Sequence, residues 1–216
     1  MTILYLVDRG SPEFEHAQST VDVVCAGDSI TGWNNFGPAD SWPYPTYPQF
    51  LQEHCQEVGL TVADCGIAGE ISGNGVGQVR DYLDLFANAR YFIIGFGTND
   101  LGMWPDTETT SKRIIENLFG MVQMVRDRSE QAILFNVPNA NEARFPPDVA
   151  RELRQKRDYH NAKLRLLCAK WRIPLADVCS HLHDEHFGDE LHPNEAGARI
   201  IAAEVFKVLA AVYKEP

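Results

Sequence analysis

The amino-acid sequence predicts a single-domain α/β fold: a three-layer α/β/α sandwich around a parallel sheet of about five strands in flavodoxin-like order. Three observations carry this expectation. Apolar runs of strand length alternate with longer stretches of helical period, the pattern of a parallel sheet covered by helices. The 216 residues suffice for one such domain with a full core and fall short of two. Hydrophobic residues make up 44% of the chain and charged residues 23%, as in ordinary globular proteins, and no composition shift marks a linker.

The strands, in chain order, are read at 21–26, 61–65, 90–96, 131–137 and, in short form, 173–177, mostly rich in β-branched or aromatic residues. Apolar residues recur at three- and four-residue intervals in 47–58, 77–87, 108–126, 148–171 and 194–213, as helices covering a sheet require. Right-handed crossovers between parallel strands favour the flavodoxin-like order. Residues 1–20 read as an N-terminal extension to a domain spanning 21–216, with 2–7 an extra edge strand and 10–20 an irregular acidic connection. Two aromatic segments read as loops over the carboxyl edge of the sheet, where open α/β sheets bind ligands. One is 31–48, with Trp33, Phe36, Trp42, Tyr44 and Tyr47; the other is 101–106, with Met103 and Trp104.

Composition narrows the function. A formal net charge of −11 repels nucleic acid and anionic lipid, both of which are held mainly through Lys and Arg. No apolar run approaches the roughly 18 residues of a membrane-spanning helix, and Met1–Gly10 lacks the basic start and cleavage site of a signal peptide. Cys25, Cys55, Cys65, Cys168 and Cys179 are odd in number and lack paired spacing, which fits reduced thiols better than a disulfide framework. The expectation is a soluble, cytoplasmic protein without a nucleic-acid or membrane partner.

Chemistry concentrates at strand and helix ends. Ser29 follows the first strand directly, where a hydroxyl points at the crevice and its own N–H can help bind a developing negative charge. A helix-capping role is the alternative for Asp28 and Ser29. Asp189 and His192 lie three residues apart before a helix whose N-cap is Asn194. That spacing lets the carboxylate accept one ring N–H while the other ring nitrogen acts as a base; an acidic surface loop is the plainer reading. Gly66, after the second strand, can offer a backbone N–H to an oxyanion, and Asn99, after the third, a side-chain amide. Alone, each is ordinary turn chemistry. Glu70 and Asp100 read as loop-ordering residues, and Arg80, His160 and Trp171 as structural residues on helices.

In chain order, Gly27-Asp28-Ser29, Gly66, Gly97-Thr98-Asn99-Asp100 and Asp189-Glu190-Leu191-His192-Pro193 resemble the four blocks of the SGNH (GDSL-type) hydrolases, lipases and esterases. The one departure is Ile30 where the name motif carries Leu, a conservative swap for an inward-packing side chain. The resemblance implies a serine esterase with Ser29 as nucleophile, His192 as base and Asp189 orienting it. The oxyanion hole would be built from Ser29, Gly66 and Asn99. It implies an acyl-serine intermediate, no metal and no organic cofactor, and a small carboxylic ester as substrate, with a short acyl or acetyl group, often on a carbohydrate. Thioesterases and lysophospholipases share the same triad. Asp28, Trp33 and Trp104 are the candidate substrate contacts.

Two other classes compete. Cys179, His181, His183, His186, Asp189 and His192 are dense in potential ligands for a metal-dependent hydrolase, but their spacing matches no standard zinc pattern. Gly73, Gly75 and Gly77 suggest a phosphate loop, yet the required lysine is missing and a flexible connection fits better.

Overall fold

A computed structural model describes residues 4–5, 10–33, 42–128 and 130–213. Six parallel strands form one sheet: β1 (Leu4–Tyr5), β2 (Val23–Gly27), β3 (Val62–Gly66), β4 (Tyr91–Gly95), β5 (Gln131–Phe135) and β6 (Leu175–Ala176), in the order β1-β3-β2-β4-β5-β6. The five strands expected from the sequence are all present, and their order is the flavodoxin-like one. Leu4–Tyr5 adds a sixth by pairing in parallel with Ala63–Asp64 at the edge.

Alternation along each strand feeds two separate cores. Val24, Ala26, Phe92, Ile94, Ala132 and Leu134 face one side; Val23, Cys25, Tyr91, Ile93, Ile133 and Phe135 face the other. Both faces are buried, so these strands read as continuous apolar runs rather than alternating ones. The first face is covered by α3 (Ser72–Leu85), α5 (Thr107–Asp127) and α6 (Pro147–Trp171), through Val79, Leu83, Ile114, Leu118, Met121 and Leu164. The second is covered by α2 (Tyr47–Glu57) and α7 (Glu195–Val212), through Phe50, Leu51, Ile201, Val205 and Leu209.

The structure differs from the sequence reading at three places. Residues 10–20 are not an irregular connection. Ser11 caps the short helix α1 (Pro12–Ala17) by accepting from the Phe14 N–H at 3.0 Å, with Pro12 in its first turn. Phe14 is fully buried in the first core. Residues 98–103, read as turn and loop, form a short helix, α4 (Thr98–Met103). The glycines at 73, 75 and 77 are not a flexible connection but the first half of α3. A Cβ on Gly75 would lie 2.8 Å from the Phe96 ring, so the glycine there allows close approach of the helix. Among the described residues, no helix is long and apolar enough to cross a membrane.

Candidate active site

Strand β2 delivers Ser29 to the carboxyl edge. Immediately after it the chain turns tightly: the Thr31 and Gly32 N–H groups both donate to the Asp28 carbonyl at 3.0 Å, and the Ile30 N–H donates to the Asp28 carboxylate at 3.0 Å. This fixes the backbone on both sides of Ser29. The serine itself is 5% exposed, and its Oγ lies 3.0 Å from His192 Nε2 across 163 residues of chain.

His192 and Asp189 sit on a loop clasped at its base. Phe187 and Pro193 form an antiparallel bridge, the Gly188 N–H donates to the His192 carbonyl at 2.9 Å, and the Asn194 N–H donates to the His186 carbonyl at 2.9 Å. Asn194 then caps α7 by accepting from the Gly197 N–H at 3.1 Å, as its sequence position suggests. Asp189 Oδ2 lies 2.7 Å from His192 Nδ1, while its Oδ1 accepts from the Leu191 and His192 backbone N–H groups at 2.8 and 2.6 Å. Partial burial penalises the Asp189 charge, but the His192 backbone and ring N–H groups and the Leu191 N–H outweigh it and hold the carboxyl below the ordinary aspartate range. An ionised carboxylate only accepts, so Nδ1 carries the ring proton and Nε2 turns its lone pair toward the serine hydroxyl.

The matching family model is that of the GDSL-like lipase/acylhydrolase family, over residues 25–200. The chain belongs to the GDSL-like lipase/acylhydrolase family. It is accordingly an ester hydrolase. The fold matches solved members and relatives over nearly their whole length. A GDSL-like lipase from Bacteroides thetaiotaomicron superposes with a TM-score of 0.68 at 21% identity, covering 95% of this chain and 98% of that one. A lipase/acylhydrolase from Enterococcus faecalis gives 0.64 at 22%, covering 91% and 99%. A carbohydrate acetylesterase from Sinorhizobium meliloti gives 0.72 at 15%, covering 89% and 100%. No curated protein sequence matches the chain.

In this GDSL-type hydrolase the residues expected around Ser29 divide. Asn99, in the first turn of α4, is partly exposed and donates through Nδ2 to the Glu70 carbonyl at 2.7 Å, which leaves the second amide hydrogen. Gly66 is not available as a donor. It is buried as the last residue of β3, and its N–H is committed to the Asp64 carboxylate at 3.1 Å. A glycine is needed there because a Cβ would lie 2.0 Å from the Gly32 nitrogen. Three residues on, Gly69 is exposed, has φ +80° with open space around it, and adjoins the carbonyl that holds Asn99. Sequence reasoning stopped at the first glycine after the strand; the signal missed was the second glycine of Gly66-Ile67-Ala68-Gly69-Glu70.

Asp28 is 1% exposed and therefore lies beneath the loop instead of facing a substrate. Burial pushes its carboxyl up to about 7, against the opposing hydrogen bond from Ile30 and with a further upward push from the Asp100 charge. Asp100 is buried as well and ties α4 to α3, accepting from the Ser72 N–H at 2.9 Å and its hydroxyl at 2.5 Å. Trp33 stands against His192: its ring meets the imidazole edge-on, centroids 4.2 Å apart. Trp42, which the sequence placed only in an aromatic loop, meets the same imidazole at 5.2 Å. Phe36 of that loop lies outside the described residues. Trp104 lies at the end of α4, under the Arg113 guanidinium at 5.1 Å.

Among the described residues no group of three or more His, Cys, Asp or Glu side chains converges as a metal site requires. The ligand-dense stretch at 179–192 is instead divided between Asp189 paired with His192 and a His183–His186 turn in which the His183 N–H donates to His186 Nδ1 at 3.0 Å.

Proposed function

We propose that the protein hydrolyses a small carboxylic ester through an acyl-serine intermediate, with Ser29 as nucleophile, His192 as general base and acid, and Asp189 orienting the imidazole. The observation that carries this reading is the unbroken chain from carboxylate to imidazole to hydroxyl, at 2.7 and 3.0 Å, assembled from opposite ends of the sequence. A neutral serine is a poor nucleophile and needs such a base with its own orienting group.

As Ser29 Oγ bonds to the acyl carbon, its proton passes to His192 Nε2 and the carbonyl oxygen becomes an oxyanion. The Ser29 N–H, the free amide hydrogen of Asn99 and the N–H of Gly69, in place of Gly66, stabilise that charge. Collapse breaks the bond to the alcohol oxygen, which leaves with the proton from His192. Water then repeats the sequence on the acyl-serine and releases the acid.

A short acyl group, such as acetyl on a carbohydrate-like alcohol, fits this reading. It is supported by the aromatic pair Trp33 and Trp42 beside the base, surfaces on which a sugar ring stacks, and by the likeness to a carbohydrate acetylesterase. The test is turnover of 4-nitrophenyl acetate and of acetylated sugars, with labelling by a fluorophosphonate. Both activities and the labelling are expected to vanish in Ser29→Ala while the fold persists; undiminished turnover by that variant overturns the assignment.

A further inference from the structure

A cavity of about 610 Å³ opens between the start of α3 and the flank of α5, lined by Ile71 and Gly73 on one wall and by Trp104, Lys112, Arg113, Glu116 and Asn117 on the other. Its size is that of a small-molecule site. It adjoins the catalytic edge through direct links. Asn99 is tied to the Glu70 carbonyl, one residue before Ile71. Asp100 holds the Ser72 N–H, and Asn117 donates to the Ser72 hydroxyl at 2.9 Å.

The cavity also lies on the far side of the reacting centre from the base. Trp104, Arg113 and Ile71 belong to the α3/α5 layer, whereas His192 leads into α7 on the opposite face of the sheet. The leaving oxygen must sit at His192 Nε2 to be protonated, which puts the alcohol beside Trp33 and Trp42. The acyl group then extends the other way, past Asn99 and toward the cavity.

The cavity is built to take charge. Arg113 covers the face of Trp104, and among the described residues it forms no ion pair with a carboxylate. Lys112 reaches Glu116 only at 3.8 Å, with both side chains mostly exposed. Trp104 is fixed from behind: the buried Lys156 ammonium donates to the Trp104 carbonyl at 2.8 Å and to that of Leu101 at 3.3 Å. With Lys112 and Arg113 against the single carboxylate of Glu116, the aromatic-walled recess keeps an excess positive charge on a chain of net charge −11.

Resting on the Ser29 acyl-transfer reading, we infer that this cavity selects the acyl part of the substrate and accepts an acyl chain ending in an anion, such as the free carboxylate of a dicarboxylic acid half-ester, with Arg113 as its partner.

The experiment compares 4-nitrophenyl half-esters of adipic and suberic acid with the same esters capped as methyl esters. Wild type and the Arg113→Gln and Arg113→Lys variants are assayed, with Ser29→Ala as control. In the wild type the half-esters should be turned over with the higher kcat/KM. The ratio of kcat/KM for half-ester over capped ester should fall roughly 1.5-fold to fivefold in Arg113→Gln, the range for an exposed charge pair, and be partly restored in Arg113→Lys. Ser29-dependent turnover with the same ratio in wild type and Arg113→Gln overturns the anionic-acyl inference alone. Turnover that survives in Ser29→Ala overturns the acyl-serine reading beneath it.

Discussion

The indole of Trp33 stands edge-on to the imidazole of His192, ring centroids 4.2 Å apart and planes at 78°. Trp42 adds a second edge contact at 5.2 Å, and the two indoles lean on each other at 5.4 Å. The His192 imidazole is thus held on one side by Asp189 and on another by two aromatic rings, which restricts the rotations that would carry Nε2 away from Ser29. An aromatic contact of this kind is worth about 0.5–1.5 kcal/mol. Trp33→Ala should lower kcat roughly twofold to tenfold while Trp33→Phe recovers most of it. Steady-state kinetics on 4-nitrophenyl acetate decide the matter, and an unchanged kcat in the alanine variant removes the positioning role.

Asp189→Asn preserves shape but replaces an acceptor with a group that also donates. The imidazole then has no reason to keep its proton on Nδ1. In the trypsin-type triad the equivalent change costs about 10⁴-fold in kcat, and a loss of that order is expected here. A loss of less than about tenfold would mean that the backbone bonds to Asp189 matter more than its hold on the ring.

The two glycines of the Gly66–Glu70 segment should separate cleanly. Gly66→Ala forces a Cβ against the Gly32 backbone and should lower the melting temperature or abolish folding. Gly69→Ala has room for its methyl but a backbone at φ +80° that alanine resists, so it should fold, lose about 1 kcal/mol or more of stability and suffer mainly in kcat. Asn99→Ala should cost about 2.7–4 kcal/mol of barrier with KM little changed. Full kcat in Gly69→Ala, which keeps the backbone N–H, would mean that the glycine's conformational freedom does not matter to the site.

The carbon framework of the domain was legible because every central strand is apolar on both faces and every covering helix keeps its period. What escaped was short or shared a signal with something else. Residues 12–17 carry Ser11 and Pro12, a cap and a first-turn proline, yet six residues show too little periodicity to announce a helix. The glycines of α3 look like a flexible loop in one dimension and are helix-packing residues in three, because Phe96 arrives from β4 to fill the space beside Gly75. At the site, Ser29, Asp189, His192 and Asn99 stood at strand and helix ends where their positions could be inferred. The sequence points to Gly66 by its place at the strand end, which says nothing of where its N–H points. Asp28 was read as facing substrate because the tight turn that buries it depends on bonds between its own side chain and the next residues.

Asp28 also sets a pH dependence. Its carboxyl titrates near 7 when folded, against an ordinary 3.8, so between those values the folded state binds more protons than the unfolded one. Stability contributed by this group therefore declines as pH rises from about 4 to about 7, by up to about 4 kcal/mol for the full gap. His160 acts in the opposite sense, since burial lowers its pKa to about 4 and stability is lost as pH falls from about 6.5. The clean measurement is the difference between wild type and Asp28→Asn, which keeps the acceptor for Ile30. Urea unfolding at pH 5 and pH 8 should show the wild type losing more stability than the variant over that interval; parallel losses would mean that the Asp28 carboxyl is ionised throughout.

Asp189 and His192 come from a single clasped loop, three residues apart, with α7 as its anchor. The loop is further tied to the segment after β5, where the Asn141 N–H donates to the Glu190 carbonyl at 3.0 Å and Arg144 to the Gly188 carbonyl at 2.9 Å. Under the proposed roles, one proteolytic nick ahead of Phe187 would therefore part both groups from Ser29 in a single event, while the central strands β2 to β5 remain on one unbroken piece of chain.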